Sequence, residues 1–203
     1  MIFFTSDTHY WHKNIIEICK RPFQDLEAMH EAMINRWNAK IRPEDEVWHL
    51  GDFFFCGTQK SVEILKRLNG RKNLILGNHD YGNNALKSKL EWGTEHFFES
   101  VQHYKNLKVQ LVYEDENEET QQYVQSIVLS HFPILSWDRM AHGSWHLHGH
   151  CHGSIDNTWN ATGLRLDCGV DCHNFEPISV AEVSNKLALR TIVPVDQHKA
   201  PQN

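Results

Sequence analysis

The chain has 203 residues, 40% hydrophobic and 11% aromatic, and carries a formal net charge of −6. Such a composition supports a packed core and excludes a disordered polymer. Its acidity argues against a groove for long nucleic acids, and the sequence offers no run of about 18 apolar residues to span a bilayer.

Residues 2–5 (IFFT) predict a short buried strand ending at Ser6-Asp7. Residues 26–41 predict an amphipathic helix, because Leu26, Met29, Met33, Trp37 and Ile41 recur at spacings of three and four. Residues 46–50 (EVWHL) predict a strand running into Gly51-Asp52. Residues 60–68 predict a second helix carrying Val62, Leu65 and Leu68, and 72–76 (KNLIL) a strand running into Gly77-Asn78. This alternation predicts an α/β fold with parallel pairing in the first half. Farther on, 106–114 and 123–132 predict strands around the acidic EDENEETQQ, a hairpin with a solvated loop. Residues 145–150, 164–169 and 187–193 predict further strands, giving two packed sheets covered by helices. One domain is expected over 1–195, with 196–203 as a loose tail.

Histidine is over-represented, with 15 residues, and imidazole is the commonest side-chain metal ligand. The five cysteines are odd in number and form no C-x-x-C pair, which speaks against a disulfide framework and a zinc knuckle. The N-terminal apolar run is short for a signal peptide, so the cytosol is the expected compartment.

The metal-type residues fall at the strand ends. Asp7 and His9 follow the first predicted strand, Asp52 the second, and Asn78, His79 and Asp80 the third. His131 closes a later strand, and His150 and His152 follow another. Ligands of open α/β sheets gather beyond the carboxyl ends of strands, so one edge would collect them all. Glycine beside several of these residues lets the backbone turn sharply. Each motif alone also has an ordinary reading: a capping Asp, a Gly-Asp turn, a structural zinc site. Their ordered conjunction points to metal. Asp7, His9 and His152 could fill one site and Asn78, His131 and His150 a second, with Asp52 between them. Two divalent ions against two carboxylates leave about two positive charges, which suits a phosphate, and a water between such ions is activated as a nucleophile. His79 is left over as a candidate acid for the leaving oxygen, with Asp80 to orient its ring.

The order D-x-H, G-D, G-N-H-D, H, G-H-x-H resembles the calcineurin-like metallophosphoesterases. SDTHYWHKNII, HLGDF, LILGNHD and HLHGHCHG are similar to those of the small single-domain bacterial and phage members. The resemblance implies a four-layer α/β/β/α sandwich of two mixed β-sheets flanked by helices. It also implies the ligand set above with Asp52 bridging, and His79 as acid or phosphate contact. Manganese, iron or zinc are the implied metals, with nickel or magnesium as further candidates. Members acting on phosphoproteins carry G-D-x-x-D-R-G, whereas here Phe55 and Cys56 stand where that Asp and Arg would be. This favours phosphodiesters or small phosphorylated molecules as substrates. His12, Arg21 and His142 are candidates to replace the Arg. The Phe53–Phe55 run reads as core or pocket wall before base-stacking platform. His146 and His148 share a strand face with His150, His49 reads as a strand residue, and Asp167, Asp171 and His173, near the site in the family pattern, read as loop-shaping first and substrate-contacting second. Two other readings remain: an amidohydrolase-like metal hydrolase, and a non-catalytic metal-binding or regulatory protein on the same fold.

Overall fold

The computed structural model describes residues 1–82, 97–114, 119–155, 163–192 and 195. Alternation along short strands divides the apolar residues between two cores. In β1 (Ile2–Thr5), Phe4 faces one core and Phe3 the other. In β2 (Glu46–His49), Trp48 and Val47 divide in the same way. In β3 (Arg71–Ile75), Ile75 and Leu74 do so.

The first sheet has the order β4-β3-β2-β1-β9, with β4 at Phe98–Gln102 and β9 at Ile178–Ser179. Its strands are parallel except β9, which pairs antiparallel with β1. The second sheet has the order β5-β6-β7-β8, comprising Tyr104–Glu114, Thr120–Ser130, Trp145–His148 and Arg165–Asp167. Here β5 and β6 form the expected hairpin, while β6, β7 and β8 run parallel. Phe4, Trp48, Leu50 and Ile75 of the first sheet meet Ile127, Leu129, Leu147 and Leu166 of the second in one cluster. The result is an α/β fold of two mixed sheets flanked by helices.

Besides a short α1 (Ile15–Ile18), helices cover the first sheet. α2 (Leu26–Lys40) begins where the Asp25 carboxylate accepts the Ala28 N–H, and buries Met29, Met33, Ile34 and Trp37 on the outer core. α3 (Thr58–Leu65) adds Ile64 and Leu65. α4 (Asn78–Gly82) is a single turn after β3. On the outer face of the second sheet, Val128 packs under Trp137 and Met140, the latter in the 3-10 turn Met140–His142.

The expected strand at 187–193 is not formed where the structure describes it. Leu187 ends the helix α5 (Val180–Leu187), a turn follows at 188–189, and 190–192 join no strand. A capping box decides this: the Ser179 hydroxyl accepts the Glu182 N–H while Glu182 accepts the Ser179 N–H. Val183 and Leu187 then seal the inter-sheet core. The acidic residues 115–118 and the expected tail 196–203 lie outside the described residues. No helix among the described residues is long and apolar enough to cross a membrane.

Candidate metal centre

The strand ends converge through short loops held to one another. The Asp7 and His9 N–H groups donate to the carbonyls of Gly51 and Asp52, and the Gly149 N–H donates to that of His131. His49 locks the first pair of loops. Its Nδ1 accepts the Gly51 N–H, so Nε2 carries the proton and donates to Thr8 Oγ1, which donates onward to the Phe53 carbonyl. Burial pushes His49 down to about 3, which keeps the ring neutral for this relay. Glycine is required where loops touch: a Cβ on Gly51 would stand 2.6 Å from His131 Nδ1 and the Gly77 N, and one on Gly149 would collide with Ser6 and Asp7.

Five of the seven candidate ligands, Asp7, His9, Asp52, His150 and His152, hold positive φ angles between 48° and 71°. Non-glycine residues in this region cost on the order of 1–3 kcal/mol each and cluster at functional sites.

All seven side chains come together. His9 Nε2 lies 3.9 Å from Asp7 Oδ1 and 3.7 Å from Asp52 Oδ2, and His152 Nε2 lies 3.9 Å from Asp7 Oδ1. Across Asp52, His131 Nε2 lies 3.5 Å from the same Oδ2, while Asn78 Oδ1 is 3.0 Å from both His131 Nε2 and His150 Nδ1. Two groups of donors thus form, Asp7–His9–His152 and Asp52–His131–His150, with the Asp52 carboxylate between the halves.

These residues fit divalent cations. Asp7 Oδ1 and His9 Nε2 are buried without a hydrogen-bond partner, which is rare and costly. Burial pushes the Asp7 carboxyl up to about 7 and the His9 imidazole down to about 2, so neither holds its charge in that hole unaided. His131 donates from Nδ1 to the Leu50 carbonyl, so a neutral ring would turn its Nε2 lone pair onto Asn78 and Asp52 oxygens. Divalent cations held by these donors would supply the partner that the buried Asp7 Oδ1 and His9 Nε2 lack.

A carboxylate fixes the His152 tautomer. His152 Nδ1 donates to Asp171 Oδ2 at 2.7 Å, which turns Nε2 toward Asp7. Asp171 in turn receives both Nε and Nη2 of Arg21 at 2.8 Å, and Arg21 also donates to the carbonyls of Asp7 and Thr8. The guanidinium is buried and committed, which removes Arg21 from the candidates for a phosphate grip. Asp171 is thus more than loop-shaping: it orients the His152 ring, a role its segment LDCGVDCHN did not specify. Asp167 does shape its loop, accepting the N–H groups of Gly153 and Gly169. His173 donates from Nε2 to the Asp167 carbonyl. His142 lies in the 3-10 turn on the outer face of the second sheet. His146 and His148 are fully buried; His146 accepts the Ile134 N–H, and His148 donates to the Gly149 carbonyl.

His79 stands at the rim, its side chain 39% exposed and Nε2 4.0 Å from Asp52 Oδ2, while its backbone N–H donates to Asp52 Oδ1. The expected pairing of Asp80 with this ring does not form. Asp80 is buried, and its oxygens accept the N–H groups of Asp52, Phe53 and Gly77, so its carboxylate clamps the two loops together. The His79 ring instead packs against the rings of His9, His12 and Phe55.

A model of the calcineurin-like phosphoesterases matches residues 1–165. The chain is 28% identical to the uncharacterized protein MJ1445 of Methanocaldococcus jannaschii over 184 residues, 88% of this chain and 86% of that one. It is 31% identical to the gene 66 protein of Mycobacterium phage L5 over 185 residues, covering 83% and 85% of the two chains. Among solved structures it is similar to the protein of unknown function AQ665 from Aquifex aeolicus, with a TM-score of 0.61, 25% identity and coverage of 92% of this chain and 98% of that one.

Proposed function

The chain belongs to the calcineurin-like phosphoesterase family as a metal-dependent phosphoesterase, and from that premise we propose that it hydrolyses phosphodiesters or small phosphorylated molecules, with Asp7, His9, Asp52, Asn78, His131, His150 and His152 holding two divalent cations. The observation that carries the ligand reading is the pair of buried, unpartnered atoms, Asp7 Oδ1 and His9 Nε2, 3.9 Å apart, with Asp52 Oδ2 3.7 Å from His9 Nε2 and 3.5 Å from His131 Nε2. Manganese, iron or zinc suits this mixed nitrogen and oxygen donor set. Such ions supply positive charge for the phosphate oxygens and lower the pKa of water.

The protein's own groups do the rest. Water attacks phosphorus in line and releases a proton to solvent, the bond to the ester oxygen breaks, and His79 Nε2 delivers a proton to that oxygen as it leaves. Asp52 takes the central position between the two halves of the site. Asp80 holds the loops that carry Asp52 and Asn78 at fixed spacing through three backbone N–H groups. His12, whose Nδ1 lies 3.2 Å from His9 Nδ1, is the remaining nearby candidate for contacting a phosphate oxygen.

Diester preference is supported by what borders the acid. Phe55 and Cys56 occupy the places where phosphoprotein-directed relatives carry Asp and Arg, and Phe55 packs edge-on to His79 with ring centres 5.4 Å apart. Without a guanidinium for a second anionic oxygen, the singly charged diester is the better-matched substrate. The test is metal analysis of the purified protein, then hydrolysis of bis-p-nitrophenyl and mono-p-nitrophenyl phosphate with added manganese. Two ions per chain and faster diester hydrolysis are expected; metal bound with neither ester cleaved would favour the non-catalytic reading.

A further inference from the structure

The three phenylalanines after Asp52 do not share a fate. Phe53 and Phe54 stack on each other in the outer core, whereas Phe55 is 38% exposed. Its ring is stacked on His12, with centres 4.2 Å apart and planes at 15°, and stands edge-on to His79. At the other half of the site, Phe132 directly follows His131 and is 47% exposed. Its ring meets His150 and His131 edge-to-face, with centres 4.6 Å and 5.0 Å apart. The rim-facing histidines, His79 and His150, therefore each carry an exposed phenyl ring beside them. Single exposed apolar residues are ordinary. Two exposed rings, one against His12 and His79 and the other against His131 and His150, put flat apolar surface at the rim, where a bound phosphate would project its substituents.

We infer that Phe55 and Phe132 line a subsite for a flat heteroaromatic group esterified to the phosphate, so that the substrate is a small phosphodiester bearing a nucleobase. This rests on the phosphodiester reading above. Stacking tolerates any base, because every base offers a π-face. The chain's net charge of −6 favours a small diester over a long strand as the source of the base.

The test compares two diesters with one leaving group: thymidine 5′-p-nitrophenyl phosphate and methyl p-nitrophenyl phosphate, with manganese present. The expected ratio of kcat/KM favours the nucleoside ester by about 10-fold or more. Phe132→Leu and Phe55→Leu, which keep apolar bulk but lose the flat face, should each move that ratio toward unity, and Phe→Trp at either position should restore it. Equal rates on both esters, or a ratio unchanged in both Leu variants, overturns the inference and leaves the diesterase reading standing. Cleavage of neither ester, with p-nitrophenyl phosphate still hydrolysed, overturns both. A single-stranded oligothymidylate that inhibits far more strongly than a dithymidine diester overturns the choice of a small substrate.

Discussion

The two halves of the metal centre are built differently. Asp7 and His9 are almost wholly buried, and His152 is fixed by Asp171, itself gripped by the buried Arg21. The other half is more open: His131 is buried, but His150 is exposed and Asn78 half-buried. In the first half, Asp7 Oδ1 and His9 Nε2 have no hydrogen-bond partner; in the second, Asn78 Oδ1 sits 3.0 Å from both histidines. A buried, pre-oriented set retains an ion because its ligands cannot swing to solvent, whereas an open set exchanges it more readily. One half is positioned by the Asp171–Arg21 network, the other by the Asp80 clamp on its loops and the Leu50 carbonyl behind His131.

The largest effect is expected where the halves meet. Asp52→Asn should lower kcat by on the order of 10²–10³-fold and reduce bound metal from both halves together; steady-state kinetics with metal analysis reads both. Activity equal to wild type would sink the bridging position.

His79 stands beside that junction, so His79→Gln should cost about 100-fold on an alkyl diester. The cost should be far smaller on a p-nitrophenyl ester, whose leaving oxygen needs little protonation. Equal losses on both esters would remove His79 as the acid.

Asp171→Asn bears on the asymmetry itself. The half containing His152 should lose about 10–100-fold in metal affinity, while the half containing His131 keeps its own. Stepwise chelator titration should show the open half releasing first in the wild type and the gap narrowing or reversing in the variant. Parallel weakening of both would mean the halves are not separately organised.

The smallest effect is a control for stability alone. Burial opposes ionisation of Glu182, but hydrogen bonds from Ser179 and Lys40 prevail and bring it from 4.5 down to about 2. A depressed carboxylate contributes stability above its unfolded pKa and loses it as the pH falls through its folded value. Glu182→Gln should therefore lower stability at pH 7 by about 0.5–1 kcal/mol, kept small by solvent screening. The difference from wild type should fade between about pH 4.5 and 2, as thermal melts would show. Metal content should stay unchanged.

Much of this protein is readable from its sequence alone. Short apolar segments ending at loop residues predict β1, β2 and β3, alternation predicts β5 of the hairpin, and spacings of three and four predict helix α2, because burial of a strand or of one helix face is a local demand. The seven candidate ligands stand out in the sequence because each follows a predicted strand, most of them beside a Gly. The strand expected at 187–193 is not formed over its described residues, because the capping box at Ser179 and Glu182 starts a helix that runs through Leu187.

What only the tertiary structure decided are the relations between distant residues. Arg21 and Asp171 lie 150 positions apart, and nothing local couples them. Asp80 neighbours His79 in sequence yet turns its carboxylate to the Asp52 loop. Of three consecutive phenylalanines, two enter the core and one stays at the rim. A single sequence states which chemistry each strand end carries. Which side chains share a hole, and which hold their partners still, depends on long-range packing that local patterns do not encode.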